Sequence, residues 1–197
     1  MGGAASAAEE ARHMGYHHLA MAVRDMGAIH RFYGEVMGFD LVKVEIAGTP
    51  SGGWAKHFFY DTGEGELVAF WELHDDQLPR DFETGLSRAA GLPEWVNHLA
   101  FSACDPDELE ARARRWLDAG LEVLEIDHHW CRSVYTRDPN GTLVEFCVTT
   151  EAFTQQDREA AREALTRDDL PRSPEPASAV LRKPGGEVRP LRMASGQ

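Results

Sequence analysis

Cysteine is scarce in this chain. Three residues, Cys104, Cys131 and Cys147, are spread over 197 positions, and no two have the C-x-x-C spacing. An odd count without that spacing argues against a disulfide framework or a zinc knuckle and points to a reduced, cytoplasmic setting. Long apolar runs are also missing: nothing approaches the ~20 continuous apolar residues of a membrane span. The first ten residues are rich in Ala and Gly and acidic, with no basic segment leading into an apolar one, so a secretory signal is not expected. Positive charge is in short supply, with 20 Lys and Arg against 33 Asp and Glu and a net charge of −13. That balance repels phosphate backbones and anionic lipid, so neither nucleic acid nor membrane is expected as a partner.

Hydrophobic residues are plentiful, at 43%, enough to build a core, and there are nine histidines. The charge is unevenly spread. Residues 151–197 carry 8 acidic and 8 basic side chains, so the whole −13 belongs to residues 1–150. Residues 151–166 read as a polar helix. From 168 onward Pro, Arg, Ser and Gly dominate, which predicts an arm or a disordered end rather than core.

An internal repeat organises the rest. His18-Leu-Ala-Met-Ala-Val-Arg-Asp25 aligns with His98-Leu-Ala-Phe-Ser-Ala-Cys-Asp105 at an offset of 80. Each copy is a short apolar alternation ending at an Asp suited to cap a helix. Helical patterns follow at 26–37 and 106–119, and each stops at a glycine, Gly38 or Gly120, the residue a left-handed C-terminal cap prefers. Strands are expected at 39–46 and 121–126. Behind them, Phe58-Phe-Tyr60, a turn and residues 66–71 match Val134-Tyr-Thr136, a turn at Asp138-Pro-Asn-Gly141 and residues 142–148. The expected organisation is an N-terminal arm (1–15), module one (16–73), a linker (74–93), module two (94–150) and a C-terminal helix with a flexible tail (151–197). The fold class is α+β: two βαβββ modules in one pseudo-symmetric incomplete barrel around a metal site.

Strand alternation puts His18, Ala20 and Ala22 on one face, and His98, Ala100 and Ser102 on its counterpart. Small neighbours leave space beside each imidazole. In Leu-Val-Glu145-Phe-Cys-Val the acidic residue is costly to bury unless paired or bound to metal. Two histidines and one carboxylate on three strands form a facial triad with open positions, for which Fe(II) is the usual occupant. A single strand histidine is more often a hydrogen-bonded core residue; the recurrence of His18 and His98 at one repeat position favours the metal reading. The position matching Glu145 in the first copy is Ala69, so three protein ligands are expected.

With these residues in place, residues 16–150 resemble the vicinal oxygen chelate superfamily, which includes glyoxalase I, extradiol dioxygenases, fosfomycin-resistance enzymes and bleomycin-binding proteins. The run His128, Val134-Tyr135, Asp138-Pro-Asn-Gly141, Glu145 is similar to the motif of single-domain type I extradiol ring-cleavage dioxygenases. The resemblance implies His18, His98 and Glu145 as ligands of Fe(II), with Mn, Ni, Zn or Co as alternatives. It also implies His128 and Tyr135 as catalytic groups and a small catechol-like aromatic plus O2 as substrates. Those enzymes carry a further histidine shortly before the second metal histidine; residues 75–97 contain none. His57, on a strand face shared with Phe59, is the candidate to line the substrate pocket instead. Trp54, Phe58, Phe59, Phe70, Trp71 and Trp130 are candidates for an apolar wall, and Arg132 or Arg137 for holding an anionic group. The alternatives are a glyoxalase-like isomerase or epimerase, another divalent-metal enzyme of this scaffold, and a metal-free antibiotic-binding resistance protein. A homodimer is the expected assembly.

Overall fold

The computed structural model describes residues 15–63 and 65–191. The expected N-terminal arm, Gly15 excepted, lies outside the described residues, and so does His13. Two open sheets, not a closed barrel, carry the architecture. The first is ordered β1-β4-β3-β2 from strands His18–Val23 (β1), Asp40–Gly48 (β2), Trp54–Gly63 (β3) and Glu66–His74 (β4). The second is ordered β10-β9-β6-β7-β8-β5. Its strands are His98–Ser102 (β5), Val123–Asp127 (β6), Cys131–Arg137 (β7), Leu143–Thr149 (β8), Ser178–Arg182 (β9) and Val188–Pro190 (β10). β1 runs parallel to β4 and β5 parallel to β8, as a helical crossover requires; all other pairings are antiparallel.

The repeat holds to single residues. His18 pairs with Leu67 and Ala20 with Ala69; His98 pairs with Leu143 and Ala100 with Glu145. Phe59 lies opposite Ala69 as Tyr135 lies opposite Glu145. Asp25 and Asp105 cap their helices alike, each carboxylate accepting a backbone N–H three residues on at 2.8 Å. Gly38 and Gly120 both take positive φ, 78° and 84°, where a Cβ would be strained.

The helices differ. Pro106–Asp118 (α3) is regular, with Pro at its start, whereas the first is α-helical only over Met26–His30 (α1) and continues as a π-helix over Arg31–Val36. The wider turn lets the adjacent Phe32 and Tyr33 both enter the core. That core is continuous across the modules. Phe39 packs on Phe101 with ring centroids 5.0 Å apart, the Trp116 indole N–H donates to Met37 Sδ at 3.2 Å, and the Tyr33 hydroxyl donates to Asp138 at 3.0 Å.

The connecting residues contain one helical turn, Leu86–Ala89 (α2). From it the Arg88 guanidinium donates to the Asn140 carbonyl at 2.8 Å. Gly141 therefore has two reasons to be glycine: φ is 79°, and a Cβ would run into Arg88.

Composition misleads about the tail. Gln155–Ala164 (α4) is a helix with a capping box at Thr154, and it buries no side chain. Beyond it, where a flexible end is expected, β9 pairs antiparallel with β6, buries Ala179, and is joined by β10. Backbone pairing to an open strand edge, with few buried side chains, leaves little trace in composition. Arg182 anchors the strand, its guanidinium 2.6 Å from Glu110 and 3.6 Å from Glu125.

Candidate active site

Alternation divides each sheet into a core face and a site face. In the first sheet Met21, Val23, Val68, Phe70 and Tyr60 face the shared core. His18, His57, Phe59 and Trp71 take the opposite face, joined by ring contacts. In the second sheet the site face carries His98, Glu145, Tyr135, Ser133 and Cys147, by the pairing of Ala100 with Glu145, Tyr135 with Glu145 and Ser133 with Cys147.

Three of the expected residues meet around Glu145, and a fourth joins them. The Glu145 carboxylate is buried, and His98 Nε2 lies 3.2 Å from it. Tyr135 is directly across the ladder, with its ring 6.4 Å from that of His98. Its hydroxyl is hydrogen-bonded to His128 Nε2 at 3.0 Å. Burial, with the neighbouring Glu145 carboxylate adding to it, pushes the Tyr135 phenol well above its ordinary range, so it stays protonated at neutral pH. His128 reaches it from the β6–β7 hairpin. The tail braces that hairpin, because the Ala177 N–H donates to the Asp127 carbonyl and His129 Nε2 is bonded to the Glu175 carbonyl, both at 2.8 Å.

His18 approaches from the other sheet. It lines a cavity of about 360 Å³ together with His98, Tyr16, Leu19, Leu99 and Phe101, where the β1 and β5 edges face each other. Its Nδ1 is bonded to His17 Nδ1 at 2.8 Å. Among the described residues no three His, Cys, Asp or Glu side chains stand close enough together to hold a metal ion. The structure therefore brings His98 and Glu145 together and sets His18 on a cavity that it shares with His98, without gathering all three. The donor chemistry still fits a divalent cation: Glu145 is a buried carboxylate whose only ion-pair partner among the described residues is one imidazole.

His57 is 6% exposed, stacks on Trp71 at 3.7 Å and leans on Phe59 at 4.0 Å. Burial, and then the nearby His18, lowers its pKa, and its Nε2 has no hydrogen-bond partner. A neutral imbalance of this kind, a buried acceptor or donor facing an aromatic wall, suits a polar group on a ligand.

Of the other candidates, Phe59 and Trp71 do face the site. Phe58 and Phe70 are packed in the core, Trp54 stacks on His74, and Trp130 packs on Phe153. Arg132 and Arg137 are each engaged at 2.7 Å, by Glu125 and Glu94, so neither stands ready for an anion. His30 is bonded to the Tyr60 hydroxyl at 2.8 Å. Sequence reasoning missed the support that the tail gives to the His128 hairpin; the alternation in Ser-Ala-Val-Leu-Arg182 was its only trace.

Residues 15–146 match the model of the Glyoxalase/Bleomycin resistance protein/Dioxygenase superfamily. No curated relative matches the sequence. Among solved structures, a glyoxylase/bleomycin resistance protein/dioxygenase domain from Frankia sp. aligns with a TM-score of 0.51 at 17% identity, over 68% of this chain and 97% of that one. A lactoylglutathione lyase from Agrobacterium tumefaciens aligns with a TM-score of 0.46 at 22% identity, over 68% of this chain and 93% of that one. The first of these likenesses speaks for the fold alone.

Proposed function

Because the chain belongs to the glyoxalase/bleomycin resistance protein/dioxygenase superfamily, we propose that it is a metal-dependent dioxygenase of the extradiol type, opening a catechol-like ring with O2. The observation that carries this reading is the Tyr135–His128 hydrogen bond beside the His98–Glu145 pair. His18, His98 and Glu145 would hold the metal, and Fe(II) would supply the electron transfer that lets O2 react with the ring.

The protein's own contribution is proton handling and orientation. Tyr135 keeps its proton at neutral pH, so its hydroxyl can pass that proton to His128 Nε2 while taking one from a substrate hydroxyl at its own oxygen. His128 is then placed to return the proton later in the reaction. Phe59, Trp71 and the stacked His57 form an apolar wall with one unpartnered ring nitrogen, which suits a flat ring bearing a polar substituent.

The test is anaerobic loading with Fe(II), metal analysis, and oxygen uptake over a panel of catechols. Stoichiometric iron with uptake and a yellow ring-fission product supports the proposal; iron bound without uptake on any catechol sinks it. A second reading is a ligand-binding protein without turnover, favoured by the bond that ties His18 to His17 rather than to the other two donors. Tight binding of an aromatic ligand to metal-free protein, with no reaction after loading, would establish it.

A further inference from the structure

Between β6 and β7 the chain turns through His128, His129 and Trp130. Among the described residues, His129 is the only one other than glycine with a positive φ, 73°. A side chain resists that left-handed conformation, which persists where the surroundings hold it in place. Three hydrogen bonds do so. The His129 N–H donates to the Asp127 carboxylate at 2.9 Å, and its carbonyl accepts from the Thr150 hydroxyl at 2.9 Å. Its ring Nε2 is bonded to the Glu175 carbonyl at 2.8 Å. A carbonyl only accepts, so this nitrogen carries the hydrogen.

Two of these fastenings come from a part of the chain that the superfamily does not supply: the family match ends at residue 146, before Thr150 and Glu175. The same added segment holds the next residue, since the Trp130 carbonyl accepts from the N–H groups of Thr150 and Glu151 at 2.8 and 3.1 Å. His129 and Trp130 are exposed, so hydrogen bonds rather than burial decide the shape of the turn. That shape matters one residue earlier. Tyr135 keeps its proton, so its hydroxyl donates to His128 Nε2 across 3.0 Å. Such a bond weakens steeply when its length or angle changes. A negative φ at position 129 would swing the chain on one side of the turn against the other and carry the imidazole off the hydroxyl.

We propose that His129 is a positioning residue. Tied through its ring to Glu175, it holds the turn left-handed and so keeps His128 on Tyr135; the segment after residue 150 thereby sets the proton transfer of the site. The functional half of this inference rests on the reading of Tyr135 and His128 as the proton-handling pair, whereas the hydrogen bond itself can be measured without any reaction.

Two substitutions separate the tether from the backbone. His129→Ala removes the bond to Glu175, and His129→Gln keeps an amide donor close to the place of Nε2. Both carry the same cost of a positive φ, so the difference between them reads the tether. Nitrogen NMR of the His128 imidazole, in full-length protein without added metal, reports the bond. The parent and His129→Gln should show one neutral tautomer with Nε2 accepting, and His129→Ala an average of both tautomers. In turnover of a catechol by the Fe(II)-loaded protein, His129→Ala should lower kcat about tenfold or more with KM within about twofold, and His129→Gln should restore it. An unchanged His128 signal in His129→Ala overturns the inference and leaves the dioxygenase reading standing. So does a His129→Gln that behaves like His129→Ala, or a loss carried by KM alone. Loss of the bond in a protein that turns over no catechol would keep the positioning role and sink the dioxygenase reading instead.

Discussion

The two modules share a strand register and part company at a few side chains. On the site face, Ala69 stands where the second module has Glu145, and Phe59 where it has Tyr135. One half thus offers two imidazoles, His18 and His57, against an aromatic wall; the other gathers a carboxylate, an imidazole and a phenol, with His128 behind them. The two copies of one scaffold differ in kind, the first presenting mainly rings on its site face and the second a hydrogen-bonded set of ionisable groups. The edges differ in the same direction. The second half has its outer strand braced by the chain's own tail, and the first is left open. Bracing matters where it occurs, because the hairpin that β9 supports is the one that holds His128.

Making the modules alike should break this division, most severely at position 69. Ala69 is fully buried, so Ala69→Glu would force a carboxylate into a packed, ring-lined position with the His18 imidazole as its one counterpart. A loss of stability of about 3 kcal/mol or more is expected, read by denaturant unfolding of metal-free protein. A variant as stable as the parent would mean that the first half can accept a carboxylate after all. The reverse exchange, Glu145→Ala, should abolish stoichiometric binding of divalent metal, measured by metal analysis after dialysis, while the fold persists. Tyr135→Phe, which copies Phe59 into the second half, should keep metal binding and lower turnover on a catechol by about 10²–10⁴-fold, the usual contribution of a positioned acid or base.

A smaller effect is expected where the halves are tied together. Burial raises the Asp138 carboxyl to about 6, against an ordinary value of 3.8, even though it accepts hydrogen bonds from the Tyr33 hydroxyl and the Thr142 N–H. The folded state therefore holds this proton more tightly than the unfolded chain does. The resulting stabilisation is complete below about pH 4 and is lost as pH rises through about 6. Relative to Asp138→Asn, the parent should lose about 2–3 kcal/mol across that window in pH-dependent unfolding. A flat difference would show that the fold does not raise this carboxyl's pKa and that it ionises at the module junction as readily as in the unfolded chain. Smallest of all, Tyr33→Phe removes one buried hydrogen bond between the halves and should cost about 1–2 kcal/mol at pH 7.

Much of this was legible in the chain. The spacing of His18 and His98, the paired Asp caps and the paired glycines announced a repeat, because each obeys a local rule: period-two alternation, a capping carboxylate, a left-handed stop. The same local rules placed Tyr135 and Glu145 on one side of adjacent strands. What went unread depends on partners distant in sequence. The assignment of Phe58 and Phe70 to the core, rather than to an aromatic wall, was decided by which face the helices cover. Arg132 and Arg137 are taken up by Glu125 and Glu94, pairings that the fold and not the local pattern makes. Nor does any local signal call for the π-helical turn after His30, along which both Phe32 and Tyr33 are buried in the core.

By itself the sequence determined the duplicated βαβββ order, the strand faces and the residue types at the site, since backbone periodicity and capping act over a few residues. Only the tertiary structure decided that the Pro- and Arg-rich tail closes the edge of β6 and that β2 stays open. It also decided that His98 meets Glu145 within one sheet and shares a cavity with His18 of the other. Those outcomes turn on which strand edge finds a partner and on how two sheets sit against one core, and neither is written in any short stretch of chain.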